Sequence, residues 1–356
     1  MLGKITIVFI IITSIICIYS FIKDFRHLRE IKKEKSDKKV KTIIDFLDKY
    51  QIVIIIILIL LSGFLYLFRL DSVPQGLNVD EAGIFYDAMS LSKYGVDRYL
   101  YSFPVYLINF GGGQNALYTY LVTILFKIFD NNLFVLRLPA AIIGIISVVC
   151  TFKILKNSKN SLVGLIGAFL MLIMPFFIMK SRWGLESYLF LPFLLFSIYI
   201  FLKAIKTEKK SYFVFSGILF GLTLYTYAIS YMVLPLFLGI SCLYLLFTKR
   251  LKFRNLIIFA IPLAILALPL MLMLAINNGI IENEIVTKFI SMPKLLYYRG
   301  SEISLANIVN NLKDGYIFKI IFSNDYLVWN TAPAYGTLYY ISIPLIIYGF
   351  IITIRK

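Results

Sequence analysis

Gln51-Ile-Val-Ile-Ile-Ile-Ile-Leu-Ile-Leu-Leu-Ser-Gly-Phe-Leu-Tyr-Leu-Phe68 contains no charged residue. As a helix rising about 1.5 Å per residue it covers close to the ~30 Å of a hydrocarbon core. The run is continuous rather than alternating, so it reads as a membrane helix and not as a barrel strand. Comparable runs recur along the 356-residue chain, which is 60% hydrophobic and only 15% charged. Soluble domains average roughly 45–50% apolar and about 25% charged residues. The sequence is therefore that of an all-α, polytopic integral membrane protein. Cys17, Cys150 and Cys242 all lie in apolar runs, which excludes a disulfide-built fold and reads them as small core side chains.

Immediately before this run, residues 23–50 hold ten Lys or Arg. Further basic groups follow later runs at Lys153/Lys156/Lys159, Lys203/Lys206/Lys209/Lys210, Lys249/Arg250/Lys252/Arg254 and Arg355/Lys356. Short basic loops mark the cytoplasmic side of membrane helices, so the net charge of +17 reports orientation and anionic headgroups rather than a nucleic-acid partner. Residues 5–22 read as a retained anchor, because no small-residue cleavage site is evident and the heaviest basic block follows them.

With 23–50 inside, residues 70–132 lie outside, and they carry six acids against Lys93, Arg98 and Lys127. The apolar stretch 115–129 is too short to cross. Counting it as a span would also place the later basic clusters outside, so it is expected on the membrane surface, with Leu117, Leu121, Ile124, Leu125 and Ile128 forming its stripe. Spans follow at about 133–154, 161–179, 188–203, 212–229, 231–247, 256–276 and 338–354, giving about nine crossings with the first two. The expected divisions are an anchor (1–22), a basic cytoplasmic segment (23–50), a transmembrane core (51–276) with outer loop 70–132, a second outer loop (277–337), and a last helix with cytoplasmic end (338–356).

Asn78-Val-Asp80-Glu81 opens a helix whose apolar face is Ile84, Phe85, Ala88 and Leu91. Asn78 with Glu81 is a capping box, and capping accounts for Glu81 as well as function does. Adjacent carboxylates held against lipid should repel one another and lose solvation, which moves Asp80 toward the range of a general base. The turn Lys180-Ser-Arg182-Trp-Gly-Leu-Glu186 surfaces on the same side. Its cations run against the orientation rule, as does Arg137 at the outer end of a span. Snorkelling of Lys180 and an Arg182–Glu186 helical pair are the structural alternatives. Outward cations beside outward acids could hold a phosphate while a carboxylate takes a proton. Gly111-Gly-Gly113-Gln114 reads as a flexible turn or, less simply, an anion nest. His27 is the only histidine, which removes His-rich metal sites and Ser-His triads from consideration. Tyr297, Tyr298, Trp329, Tyr335, Tyr339 and Tyr340 read as an interfacial aromatic belt.

Asn-Val-Asp80-Glu81-Ala, the surface-helix Leu-Tyr118-Thr-Tyr, Leu-Arg137-Leu-Pro-Ala-Ala and Ser-Arg182-Trp-Gly-Leu-Glu186 together resemble the bacterial branch of the GT-C glycosyltransferases. The likeness is to family 39, the protein-mannosyltransferase-like and aminoarabinose-transferase-like membrane enzymes, over roughly residues 51–250. It implies a GT-C-like bundle with interfacial helices in the first outer loop. It also implies sugar transfer from a polyprenyl-phosphate carrier to a cell-envelope acceptor on the outer face of the cytoplasmic membrane. Asp80 then corresponds to the first-loop catalytic acid and Glu186 to the second-loop acid, with Glu81 as a further catalytic candidate. Arg182, Arg137 and Lys180 fall near the lipid phosphate, and Gln114 and Tyr118 among the substrate contacts. Many relatives carry His-Pro-Pro or Glu-Lys-Pro where this chain has Gly-Gly-Gln114-Asn115, and relatives usually continue with more helices beyond the position of Lys356. Whether carboxylates hold Mg or Mn, or cations alone compensate the phosphate, is open at this point. A transporter or flippase for a lipid-linked or anionic substrate is the rival class and predicts charges near the bilayer midplane and mid-span breaks, with Pro175, Pro235, Pro262 and Pro269 as candidates. A catalytically inert membrane scaffold is the third.

Overall fold

A computed structural model describes residues 33–297, 309–310, 313, 338–340 and 342–354. The expected anchor at 1–22, His27, Cys17 and the belt residues Tyr298, Trp329 and Tyr335 lie outside the described residues.

The described residues begin with α1 (Lys33–Lys49) and α2 (Gln51–Leu67), which meet at 74°. α1 exposes Val40, Ile43 and Phe46 along one side among its lysines, the pattern of a helix lying at a headgroup surface. Asp48 pins it to the bundle through Lys156 (2.6 Å) and Ser161. Next come α3 (Val79–Tyr94), a two-stranded hairpin of β1 (Tyr106–Asn109) and β2 (Gly112–Asn115), and α4 (Ala116–Phe126). The bundle proper is α5 (Leu133–Ser158), α6 (Ser161–Ile173), α7 (Pro175–Lys180), a 3-10 turn at Glu186–Leu189, α8 (Phe190–Thr207), α9 (Lys210–Leu224), α10 (Ser230–Phe247) and α11 (Phe253–Asn277). A small hairpin of β3 (Ile285–Val286) and β4 (Ser291–Met292) and the helix α12 (Ser342–Ile354) complete the described elements.

Among the described residues four segments are long and apolar enough to cross a membrane by themselves: Leu133–Ser158, Glu186–Thr207, Ser230–Phe247 and Phe253–Asn277. α6, α9 and α12 are apolar but shorter. The span expected at 161–179 is broken: Met174 is extended (ψ 127°) and Pro175 starts α7 at its first position. A residue before proline is pushed out of the helical region, and proline lacks the N–H that a continuing helix needs. The other prolines do not end their helices. Pro235 stays within α10, and Pro262 and Pro269 within α11. In the turn that Pro269 opens, Tyr225 Oη donates to the Leu266 carbonyl (2.7 Å).

α4 is an 11-residue helix, about 16 Å long and too short to span, as the sequence reading required. It turns Tyr118, Val122 and Phe126 inward against Ile84 and Ala88 of α3 and Leu136 and Ala140 of α5. Ile124 and Ile128 of the expected stripe are exposed, while Leu117, Leu121 and Leu125 are partly covered. A second core joins α8, α9 and α11 through Phe201, Phe213, Phe220 and Phe259, which meet mostly edge to face.

The polarity of the bundle follows from its contacts. Gln51 meets Lys156, and Glu208 meets Lys252 (2.5 Å), which gathers the basic turns at 49–51, 156–161, 207–210 and 248–253 at one end. Segments 65–76, 78–81, 137 and 182–184 bond to one another at the opposite end.

Gly217 sets the closest approach of α9 to α11: a Cβ there would lie 2.2 Å from the Phe259 carbonyl oxygen. Overpacking of this kind costs about 1–3 kcal/mol. Gly217→Val is expected to lower the Tm in detergent by several degrees, whereas Gly239→Val, with nothing within 4 Å of its Cβ, leaves it unchanged; fluorescence-monitored melting of both variants checks the difference.

Candidate active site

As α2 ends, its last carbonyls lose their helical partners, and the chain turns through residues 68–77 before α3 begins. Two guanidinium groups supply the missing donors. Arg182 bonds to the carbonyls of Leu65 (2.6 Å), Phe68 (2.6 Å), Arg69 (3.2 Å) and Val73 (2.8 Å). Arg137 takes those of Leu70 (3.1 Å), Pro74 (2.8 Å) and Gly76 (2.7 Å).

Arg137 completes its five donors on Glu81, with Nε to Oε1 at 2.9 Å and Nη2 to Oε2 at 3.0 Å. Both side chains are fully buried, and the Trp183 ring lies 4.9 Å from the guanidinium carbon. Glu81 also accepts from the Asn78 N–H (3.1 Å), closing the capping box, and from the Gly184 N–H (2.7 Å). Glu81 is thus a four-way joint between α3, α5 and the 181–186 turn.

This arrangement corrects two expectations. Arg137 and Arg182 direct their donors into the protein, so neither presents a guanidinium fork to a lipid phosphate. Asp80 and Glu81 do not repel one another as a lipid-facing pair either, because Glu81 turns into the core onto Arg137 while Asp80 stays exposed. Asp80 Oδ1 accepts from Asn109 Nδ2 at 3.1 Å.

The remaining candidates divide by their surroundings. Tyr118 is fully buried and donates to the Leu136 carbonyl (2.9 Å), a packing role. Lys180 sets its ammonium 4.3 Å from the Tyr188 ring centre and 4.5 Å from that of Phe176. Gln114 is buried with Oε1 unpaired. Asn115 accepts from Tyr231 Oη and lies against the Glu186 carboxyl with both its main chain and its side chain. Glu186 sits beside Asn115 and within electrostatic range of Asp80, and its buried Oε2 has no hydrogen-bond partner. Buried polar atoms without partners are rare in native proteins, and among the described residues Gln114 Oε1 and Glu186 Oε2 fall on neighbouring stretches here. The glycine run is neither a loose turn nor a nest: Phe110 (φ 51°) and Gly111 (φ 76°) form the two-residue turn of the β1–β2 hairpin, and Gly112–Asn115 its second strand.

Asn109, Arg98, Asp87 and Asn115 were not singled out by sequence reasoning. Arg98 pairs with Asp87 through two bonds (2.9 and 2.7 Å) and with the Gly83 carbonyl (2.6 Å). No helical or strand spacing relates these positions, so the sequence carries no local signal for them. Among the described residues, no group of three or more His, Cys, Asp or Glu is placed to hold a metal ion.

Comparison with known proteins follows the same lines. Residues 115–276, somewhat under half of the chain, match the family model described as dolichyl-phosphate-mannose-protein mannosyltransferase. The match includes Arg137, Arg182 and Glu186 and excludes Asp80 and Glu81. The fold is similar to part of the archaeal oligosaccharyltransferase AglB from Archaeoglobus fulgidus. One AglB structure, in complex with an inhibitory peptide and a dolichol-phosphate, aligns at TM-score 0.50 and 16% identity over 87% of this chain. Another, from the same organism and tethered to an acceptor peptide containing the NVT sequon, aligns at TM-score 0.51, also with 16% identity and 87% coverage. The chain spans only 37% and 38% of those two proteins, so the likeness is one of fold. Among curated protein sequences nothing matches the chain.

Two outcomes are expected. Arg137→Met leaves a carboxylate buried without its partner and should cost about 3–5 kcal/mol, read as a large loss of Tm. Asp97 in the 96–102 loop is buried, and burial holds its carboxyl above the usual 3.8 despite N–H bonds from Tyr99 and Tyr101. The folded chain therefore binds that proton more tightly than the unfolded one, and stability falls as pH rises through the interval above 3.8. Asp97→Asn keeps the Oδ1 acceptor and removes the charge, so it should raise the Tm at neutral pH and have no effect near about pH 3.

Proposed function

We propose that the chain is a glycosyltransferase moving a sugar from a polyprenyl-phosphate carrier to a cell-envelope acceptor on the outer face of the cytoplasmic membrane. The observation that carries this reading is an exposed carboxylate, Asp80, held by Asn109 at the end of the bundle opposite the basic turns and within electrostatic range of Glu186. The AglB fold and the mannosyltransferase family match support the same class, and the positive-inside pattern supports the outward side.

The chemistry is a single displacement with inversion. An acceptor hydroxyl oxygen attacks the anomeric carbon, the bond from that carbon to the phosphate oxygen breaks, and polyprenyl phosphate leaves with the electron pair. Asp80 takes the hydroxyl proton. Lys180, two residues from Arg182, is assigned to the departing phosphate in place of the two arginines, which instead build the loop that carries Asp80. Gln114 Oε1 and Glu186 Oε2, buried and without a hydrogen-bond partner among the described residues, suit a polyhydroxyl ligand that brings its own donors and acceptors. Glu81 is occupied by Arg137 and is therefore not available to a Mg or Mn ion.

A transporter calls for charged groups along the midplane. Among the described residues the buried charged side chains are Glu81, Asp87, Asp97, Arg137 and Arg182, and all belong to the Asp80 end. Purified protein supplied with radiolabelled polyprenyl-phosphate sugars should transfer label, and Asp80→Asn should reduce the rate by about 10²–10⁴. Equal rates for wild type and Asp80→Asn would remove Asp80 from the mechanism, and labelling of a cysteine at position 80 solely from the cytoplasmic side would overturn the assigned face.

A further inference from the structure

We infer that Asn109 is a positioning residue for Asp80, oriented in turn by an Arg98–Asp87 ion pair packed over Gly83. The inference rests on the reading that Asp80 receives the acceptor proton.

Four groups of alternating character meet end to end. Asp87, buried in α3, accepts two bonds from Arg98. Its Oδ1 also accepts from the Arg98 main-chain N–H (3.1 Å), so the side chain and backbone of Arg98 are fixed by one carboxylate. Arg98 then faces Asn109 Oδ1 through Nη1 (3.4 Å), and Asn109 Nδ2 faces Asp80 Oδ1 (3.1 Å). The chemistry allows one orientation of the carboxamide. A guanidinium only donates and a carboxylate only accepts, so the amide oxygen must lie toward Arg98 and the amide nitrogen toward Asp80. Each link polarises the next, and the last presents a strengthened N–H to the carboxylate.

Space for the relay is made by sequence. Gly83 lies one helical turn after Asp80, and a Cβ on it would come within 2.9 Å of Arg98 Nη2 and 3.0 Å of Asn109 Oδ1. Any larger residue displaces the guanidinium or the carboxamide. Asn109 itself is 8% exposed, at the end of β1 just before the Phe110–Gly111 turn.

Its function is geometric. The torsion that turns an Asp carboxylate is broad and nearly two-fold, and Asp80 stands on an exposed helix start. Anchoring Oδ1 limits that rotation and sets the direction from which a proton can be received. Displacements of about 1 Å in a reacting group cost up to 10²-fold in rate. Among the described residues, Glu186 on the 186–189 turn lies within electrostatic range of Asp80, while the neighbouring Glu81 turns inward and is compensated by Arg137 of α5.

The test uses the full-length protein and the transfer assay, with Asp80→Asn, Asn109→Ala, Asn109→Asp and the two doubles with Asp80→Asn. Asn109→Asp keeps an acceptor for Arg98 and melts near wild type, but it sets a carboxylate against Asp80. Expected are a kcat lower by about 10- to 100-fold with the donor KM unchanged. An acid limb of the pH–rate profile moved to higher pH in Asn109→Asp is also expected, since a like charge opposes ionisation of Asp80. No further loss should appear when either change is added to Asp80→Asn. Wild-type kcat and pH profile in both Asn109 variants while Asp80→Asn is inactive would overturn the positioning role alone, as would effects that simply multiply with that of Asp80→Asn. Full activity in Asp80→Asn would overturn the proton-acceptor reading and this inference with it.

Discussion

The end of the molecule that carries Asp80 depends on one buried ion pair, Arg137 with Glu81. Two charges removed from water are stable only when every lone pair and proton is matched, and this pair meets that condition by recruiting main chain. Arg137 gathers three carbonyls and Glu81 two N–H groups. Three segments distant in sequence are therefore held in one geometry by a single electrostatic requirement. Arg182 does the same for the neighbouring carbonyls without a carboxylate partner. Two of the three cations that run against the orientation rule, Arg137 and Arg182, are accounted for by this: they serve as cores for irregular backbone, where a helix has stopped and no strand has begun.

Much of this architecture was legible because it rests on local rules. The apolar runs gave the bundle, the lysines gave its polarity, and Asn78 with Glu81 gave the start of α3. The shortness of the apolar stretch 115–129, together with the basic clusters that a crossing there would have put outside, decided that this helix does not cross. Glu81 was legible as a cap but not as the partner of Arg137, since 56 positions separate them and no periodicity links them. The Asp80–Asn109–Arg98–Asp87 chain was hidden for the same reason. Asn109 gains its meaning from a hairpin whose second strand is written Gly-Gly-Gln-Asn, with almost no strand propensity. That strand exists because Phe110 and Gly111 adopt positive φ and return the chain. The prolines were only half legible: Pro175 ends a helix, while Pro269 sits where Tyr225 can satisfy a loosened carbonyl.

The two faces of the first helical turn of α3 separate support from chemistry. Glu81 points inward and makes the scaffold; Asp80 points outward and meets a polar relay. Adjacent residues on a helix start diverge by about 100°, so one dipeptide supplies a structural acid and a solvent-facing one without either disturbing the other. Glu186 approaches from the 3-10 turn that follows Gly184, and Gly184 is bound to Glu81. The distance between the two candidate acids is therefore set through the scaffold carboxylate rather than by direct contact.

The interruption at Met174–Pro175 leaves α6 only 13 residues long, about 20 Å against a hydrocarbon thickness of about 30 Å. A bilayer adapts to such hydrophobic mismatch by thinning around the short segment. The turn that bears Lys180 and Glu186 therefore starts from a helix that has already changed direction once, at Met174, and α7 carries the apolar surface on for six residues at the new angle.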